Sequence, residues 1–463
     1  MKISRLWLSL LPLAAAVLLV PAGVATAAPA AAVPTLSVAL DPITVAPAQR
    51  EKTAFLLGTL SHREQPARSH RLSYTVDFTG AAELVEMEFE SFPLLIVTED
   101  EEWSPCKRAG TVLTCSVSGV RPIGGGLFSM GDFLVTPTAT ATVGAVGSVT
   151  VTARLDDQDP VTSTTPVRIA ERVSLAAGNA GLTSSAAPGE VGSFTPRVRN
   201  AGPNAIEGTV LQLGTSVDIV VTNASNCWFD VVVSCVFDTV LEPGRVYGLS
   251  APIQWRAPAD AAGGSIAESS VQWLTMAEFE DRQRWVEGLS RRGTGAELTL
   301  APLGAASGVP QVDPTPASEY AGLQLAIRGK RPNLTVVAAP LYITPGGRRS
   351  FKVSVLNQGP GALHPDLFGN NYTMAEIKLP RGVKLVRAST CLTLGDFDGV
   401  DLLCPSGWTK HAGAARVTHT VLLRATSTFT GGVATVSLSD EYNELELPAA
   451  RKDNAVRVRF RRG

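Results

Sequence analysis

Apolar and polar residues alternate in short runs along the chain, and Gly, Pro, Asn and Asp separate the runs. A two-residue period places successive side chains on opposite faces, so each run predicts a strand with one buried face. The runs return three times. Phe133–Ala139, Leu249–Trp255 and Val417–Leu423 form one set; after a glycine turn, Gly147–Ala153, Gly264–Ser270 and Gly432–Leu438 form the next. Pro166–Ala170, Ala296–Leu300 and Ala455–Phe460 are expected to close each copy. The copies also begin alike. Pro188-Gly189 and Pro345-Gly346 precede strands at Phe194 and Phe351, which run into Asn200-Ala-Gly-Pro203 and Asn357-Gln-Gly-Pro360. These Asn-x-Gly-Pro segments read as turns, with Gly accepting positive φ and Pro ending the strand ladder.

Six cysteines fall in three close pairs, Cys106/Cys115, Cys227/Cys235 and Cys391/Cys404, one per copy. In an exported chain without a CxxC pair they predict disulfides rather than metal ligands. One local bridge per copy is the simplest connectivity, although spacing alone leaves others open. Glycine follows nine residues after each second cysteine, at Gly124, Gly244 and Gly413. Short strands between Gly and Pro turns, with scarcely any helix, predict an all-β fold of tandem immunoglobulin-like antiparallel β-sandwiches.

The expected divisions are a signal peptide over 1–27, a short linker over 28–33, and sandwiches over 34–170, 171–302 and 332–463. A Pro/Gly/Ala-rich linker is expected over 303–331, with the second and third sandwiches moving relative to each other. The first copy is the divergent one: it keeps Ala46-Pro47, replaces the Asn-x-Gly-Pro turn by Asp77–Gly80, and carries a polar insertion around Arg63 to His70. In the second, Met276–Gly288 places Phe279, Trp285 and Val286 near helical spacing, which predicts one short amphipathic helix.

The second and third copies resemble the immunoglobulin-like "conserved repeat" domain of unknown function that occurs in tandem in bacterial cell-surface and secreted proteins. The shared marks are Asn-x-Gly-Pro, a Leu-Pro-x-Gly-Val turn (Leu379–Val383, degraded to Leu213–Val217), the cysteine pair and the later glycine. The resemblance implies a fold and supplies no catalytic residues.

Lys2 and Arg5, an apolar stretch from Leu6 to Val20, and Ala25-Thr26-Ala27 together read as a secretory signal cut after Ala27. Ser9 and Pro12 interrupt that stretch, which favours a removed signal over a membrane anchor. No transmembrane segment is expected in the mature chain, and no lipidation or sorting signature follows Phe460. A secreted, extracellular protein, at most loosely associated with the cell surface, is the expectation. Charged residues make up 18% and hydrophobic residues 45%, as in a globular chain. The net charge of −2 becomes −4 without the signal. A near-neutral chain with no basic run in its sequence predicts no nucleic-acid partner.

Candidate chemistry is sparse. The five histidines, His62, His70, His364, His411 and His419, are expected in loops or exposed strands. No nucleophile elbow, HExxH helix or phosphate loop occurs, and Ser104–Lys107, a formal Ser-x-x-Lys match, lacks its partner motifs. No catalytic residue, cofactor or metal is expected, and the chain reads as a non-enzyme. Asp156–Asp159, the group Asp396, Asp398 and Asp401, and Glu99–Glu102 offer oxygen ligands without EF-hand spacing, so solvated turns are preferred to calcium sites. A tryptophan lies near every cysteine pair: Trp103, Trp228 and Trp408. An indole packed over each bridge is the preferred reading, and an exposed platform for sugar rings the alternative. The sequons at Asn223, Asn333 and Asn371 are taken as chance. These features point to a secreted, non-enzymatic structural or adhesive protein. A carbohydrate- or cell-wall-binding protein using the Trp-bearing loops is the alternative. Candidate partners are cell-wall polysaccharide and another surface protein.

Overall fold

A computed structural model describes residues 35–49, 51–61, 70–91, 106–120, 127–179, 181–230, 232–282, 291–303, 320–368, 373–388, 390–393, 402–405, 415–439 and 454–463. They form three immunoglobulin-like antiparallel β-sandwiches in tandem.

The first sandwich contains β1 (Leu36–Leu40), β2 (Ile43–Val45), β3 (Lys52–Leu60), β4 (His70–Asp77), β5 (Val85–Ser91), β6 (Cys106–Ala109), β7 (Val112–Val120), β8 (Leu127–Pro137), β9 (Val146–Leu155) and β10 (Val161–Ile169). Its sheets run β1-β3-β8-β5 and β2-β10-β9-β4-β7-β6. Strand alternation supplies the core: on β4, His70, Leu72, Tyr74 and Val76 point inward, and the positions between them are more exposed. The Tyr74 hydroxyl donates to the Met130 carbonyl at 2.5 Å, and burial pushes its pKa far above the ordinary tyrosine value, so it stays protonated.

The second sandwich contains β11 (Leu175–Ala177), β12 (Gly181–Ala186), β13 (Val191–Phe194), β14 (Arg197–Asn200), β15 (Ile206–Leu213), β16 (Cys227–Phe229), β17 (Val233–Leu241), β18 (Val246–Leu249), β19 (Ile253–Arg256), β20 (Ile266–Leu274), helix α1 (Met276–Arg282), β21 (Arg291–Arg292), β22 (Leu300–Pro302) and β23 (Tyr320–Ile327). Its sheets run β11-β14-β18-β22 and β12-β23-β20-β15-β17-β16-β21, with β13-β19 as a separate two-stranded pair. Pro196 and Pro252 lack the N–H a ladder needs. The strands that contain them divide there into β13 and β14, and into β18 and β19.

The third contains β24 (Leu334–Ala338), β25 (Leu341–Ile343), β26 (Arg348–Asn357), β27 (Met374–Lys378), β28 (Val383–Ala388), β29 (Leu392–Thr393), β30 (Leu402–Pro405), β31 (Arg416–Ala425), β32 (Gly432–Leu438) and β33 (Ala455–Arg462). The orders β24-β26-β31-β28 and β25-β33-β32-β27-β30-β29 match the first sandwich strand for strand. The copy most divergent in sequence is therefore topologically the same as the third, and the second is the one that departs. All three share a parallel pairing of an early strand with the last, β2 with β10, β12 with β23 and β25 with β33.

Three expectations are corrected. Ala296–Leu300 does not close the second sandwich: Leu300 only begins the edge strand β22, and the closing strand is β23. β23 lies inside the stretch expected as linker over 303–331; its alternating pattern Tyr-Ala-Gly-Leu-Gln-Leu-Ala-Ile was masked by its Ala- and Gly-rich surroundings. Gly202 and Gly359 do not take positive φ. Instead the buried Asn200 and Asn357 side chains accept from the Gly202 and Gly359 N–H groups and donate to the Asn204 and Gly361 carbonyls. Glycine is needed at 359 because a Cβ would come within 2.5 Å of Pro332 Cα.

Helix α1 has a capping box. Thr275 Oγ1 accepts from the Glu278 N–H at 3.3 Å while Glu278 Oε2 accepts from the Thr275 N–H at 2.8 Å. Phe279 anchors the helix against Val210 and Leu274; Trp285 and Val286 lie outside the described residues.

The opening turns differ in one respect. Gly189 and Gly346 take positive φ after their prolines, but in the first sandwich Pro47 is followed by Ala48 at φ 57°. A non-glycine residue there costs about 1–2 kcal/mol. Ala48→Gly is therefore expected to stabilise the first sandwich by about 1 kcal/mol, since glycine's extra unfolded-state freedom offsets part of the relief. Urea unfolding of the full chain checks it, and an unchanged or lower midpoint would count against strain at this turn.

Candidate interaction sites

Cys106 is bonded to Cys115, Cys227 to Cys235, and Cys391 to Cys404. In the first two, the cysteines face each other across adjacent strands, β6–β7 and β16–β17. Cys391 immediately precedes β29, whose Leu392 opposes Leu403 on β30. Each bridge thus staples a hairpin within one sheet and does not cross between sheets. By loop-closure entropy, loops this short are worth about 2.5–3 kcal/mol each.

That placement decides the tryptophans. Cys227 points into the core, so its neighbour Trp228 points to the opposite face, half-buried and opposed by Ser234. It does not pack over the bridge, which corrects the preferred reading. It is not a bare platform either: the Arg292 guanidinium lies 5.2 Å from its ring centroid and is tied to the Ser225 carbonyl through Nε at 2.8 Å. On the inner side Arg291 stacks on Phe229 at 4.7 Å and donates to Asn223. Among the described residues the core indoles are Trp255 and Trp273, both fully buried. Trp103 and Trp408 lie outside the described residues. Adjacency in a strand was the signal that could have separated Trp228 from the core.

The described histidines correct a second expectation, because all three are buried. His70 Nδ1 lies 2.7 Å from Asp156 Oδ2, His364 Nε2 3.1 Å from Asp260 Oδ1, and His419 Nδ1 3.0 Å from Thr390 Oγ1. His419 also brings its imidazole within 4.8 Å of the Cys391 and Cys404 sulfurs. Those sulfurs are joined to each other and offer no thiolate to an ion. His62, His411, Ser104, Glu99–Glu102 and the group Asp396, Asp398 and Asp401 lie outside the described residues, as does Asn371. Asn223 and Asn333 make side-chain hydrogen bonds to Thr294 and Gln358.

Of the carboxylate group Asp156–Asp159, Asp156 is already engaged. Its Oδ1 accepts from the Arg71 N–H at 2.8 Å and its Oδ2 meets His70. It takes positive φ, as Asp tolerates better than most residues. Desolvation raises its pKa, but the hydrogen bonds from His70 and Arg71 outweigh it, and the net direction is downward.

At the open side of the first sandwich, beside the Cys106–Cys115 bridge, a cleft of about 290 Å³ is lined by Phe78, Met87, Phe89, Leu113, Phe133 and Arg108. Arg108 spans it, donating to the Met87 carbonyl at 2.9 Å and lying 4.9 Å over Phe78.

No protein-family model matches the chain, and no curated protein is similar to it. Among solved structures it is similar to the seventh ScaB type I cohesin of Pseudobacteroides cellulosolvens, at 10% identity over 30% of this chain and 93% of that one, with a TM-score of 0.21. It is also similar to a membrane-anchored protein of Corynebacterium diphtheriae, at 8% identity over 91% of each chain with a TM-score of 0.17. The I67–I69 fragment of titin gives 8% identity over 93% of this chain and 98% of that one, with a TM-score of 0.18.

Two predictions follow from this geometry. Trp255→Ala should cost about 3–5 kcal/mol in chemical unfolding, and Trp228→Ala, whose ring has one face toward Arg292, should cost well under half as much; equal losses would return Trp228 to the core. Asp156→Asn keeps a residue tolerant of this backbone and removes the charge. The folded pKa is lowered, so the carboxylate's contribution is present above the ordinary Asp value of about 3.9 and is lost as pH falls through the lower folded value. The variant should be the less stable at neutral pH, with the gap closing in acid. Thermal midpoints measured across pH check this, and a gap that is independent of pH would contradict it.

Proposed function

We propose that this chain is a secreted, non-enzymatic structural or adhesive protein that holds immunoglobulin-like modules in fixed succession outside the cell, a reading that rests chiefly on how the modules are joined. At the first joint, Asp281 of α1 is 2% exposed and reaches into the first sandwich. It accepts from the Thr44 N–H at 2.7 Å, the Thr44 hydroxyl at 3.0 Å, Lys52 Nζ at 2.5 Å and an Arg168 amino group at 3.1 Å. A buried carboxylate satisfied by two cations and a backbone N–H is costly to open.

At the second joint the backbones interlock. Ala262 N–H donates to the Ala362 carbonyl, Ala362 N–H donates to the Asp260 carbonyl, and His364 pairs with Asp260. Phe368, from the third sandwich, is fully buried in the core of the second. A Cβ on Gly361 would lie 2.4 Å from Ala262 Cα, so the approach requires glycine. Such joints suit a spacer better than a string of free beads.

Three disulfides agree with an oxidising compartment. No helix among the described residues is long and apolar enough to cross a membrane. The Ig-like tandem plan supports kinship with the bacterial surface repeats that the Asn-x-Gly-Pro marks resemble.

A second reading has one specific observation in its favour. The edge formed by Trp228 and Arg292 offers an aromatic ring and a guanidinium together, a pairing suited to sugars that carry acidic groups.

Small-angle scattering of the full chain tests the spacer. The parent should fit one arrangement of the three modules, and Asp281→Ala should raise the radius of gyration by loosening the first joint. Scattering that fits freely moving modules in the parent, unchanged by the substitution, would defeat it. Retention on insoluble cell-wall polysaccharide that disappears in Arg292→Ala without a change in melting would favour the second reading instead.

A further inference from the structure

Strand alternation turns the charges of this near-neutral chain outward, and the equivalent sheets of the first and third sandwiches carry opposite signs. The third sandwich's four-stranded sheet β24-β26-β31-β28 has no Asp or Glu in its strands. Its exposed positions include Arg348 and Lys352 on β26, Arg416 and Arg424 on β31, and Lys384 and Arg387 on β28. Lys384, Arg424 and Arg348 stand directly opposite one another across three strands, and a β-bulge sets Arg387 opposite Leu422 in the neighbouring row. Like charges directly opposed across a sheet are destabilising. Among the described residues none of these cations has an ion-pair partner.

The equivalent sheet of the first sandwich, β1-β3-β8-β5, is the reverse. Glu86, Glu88 and Glu90 are exposed along its edge strand β5, and Asp132 follows on β8 opposite Ser91. The sheet's one cation, Lys52, is held by Asp281. β5 and β28 occupy the same position in the repeat, each an edge strand paired among the described residues on one side only, with β8 and β31 respectively. The bias extends to the whole copies. Residues 34–170 hold ten Lys and Arg against sixteen Asp and Glu, and residues 332–463 hold sixteen against ten.

We propose that the basic β28 face of the third sandwich docks a second copy of this chain on the acidic β5 edge of its first sandwich, so that copies associate head to tail. The two patches differ, so the contact is heterologous and leaves a free patch of each kind at the ends, which permits extension into a chain. Opposite charge sets which edges meet. No aromatic residue stands on the strands of the basic sheet at an exposed position, which gives bases nothing to stack on and disfavours a single-stranded nucleic acid as its occupant.

The test is sedimentation velocity of the full secreted chain over a concentration series. At about 0.01 M salt, where charges act over about 30 Å, the mean sedimentation coefficient should rise with concentration. At about 1 M salt the chain should sediment as a monomer. The exposed-site variants Glu86→Lys with Glu88→Lys, and Lys384→Glu with Arg424→Glu, should each lose the fast species at low salt while melting like the parent. Mixed in equal amounts, the two variants should recover it, because the intact basic face of one meets the intact acidic edge of the other. A parent that is monomeric at low salt, association that survives either charge reversal, or a mixture that stays monomeric would each overturn the proposal. If the parent stays monomeric but polyphosphate binds it and Lys384→Glu with Arg424→Glu abolishes that binding, the face serves a polyanion and the self-association is wrong.

Discussion

A β-strand has two faces and a sandwich buries one of them, and that constraint governs nearly everything in this molecule. Inward positions are mostly apolar, and polar groups such as those of Tyr74, Asn200 and Asn357 are carried there in hydrogen bonds. Outward positions are released from the core and can carry any charge. The same rule turns Cys227 inward and Trp228 outward although they are adjacent in sequence. It also gathers arginines and lysines from three strands, β26, β31 and β28, into a single cationic face.

The disulfides have a narrower part in this plan than the bridge of an antibody domain, which ties two sheets together. Here each closes a hairpin inside one sheet, and the sheets are held by their apolar cores. The hairpins of the first and third sandwiches sit at the open side of their sheets, where β6 and β29 are edge strands. In the first sandwich Arg108 fills part of that opening, capping Phe78 and binding the Met87 carbonyl. The stapled hairpins are thus stability elements at the least protected margin of the fold.

The two joints between sandwiches use different physics. The first is polar and charged, a single buried carboxylate on a short capped helix that satisfies donors from three strands of its neighbour. The second rests on close backbone approach: Gly361 lets Ala262 and Ala362 hydrogen-bond across the joint, His364 pairs with Asp260, and Phe368 is seated in the neighbouring core. Neither joint has a long linker: β10 ends at Ile169 shortly before β11 begins at Leu175, and β23 ends at Ile327 shortly before β24 begins at Leu334.

The all-β class, the three repeats, the local cysteine pairs and helix α1 were legible in the sequence because each depends on neighbours a few residues apart: alternation, turn chemistry, cysteine spacing and helical periodicity. What the sequence left undecided depends on residues far apart. Asp281 shows no sign in its own surroundings that it will bind Thr44, 237 residues away. The histidines read as exposed because their carboxylate and hydroxyl partners, Asp156, Asp260 and Thr390, come from turns and bends 29 to 104 residues away in the sequence. β23 was lost in a stretch that resembles linker until β20 and β12 pair with it. The opposition of the acidic and basic faces exists only once register places Lys384, Arg424 and Arg348 side by side, since charge is summed along a chain but acts through space.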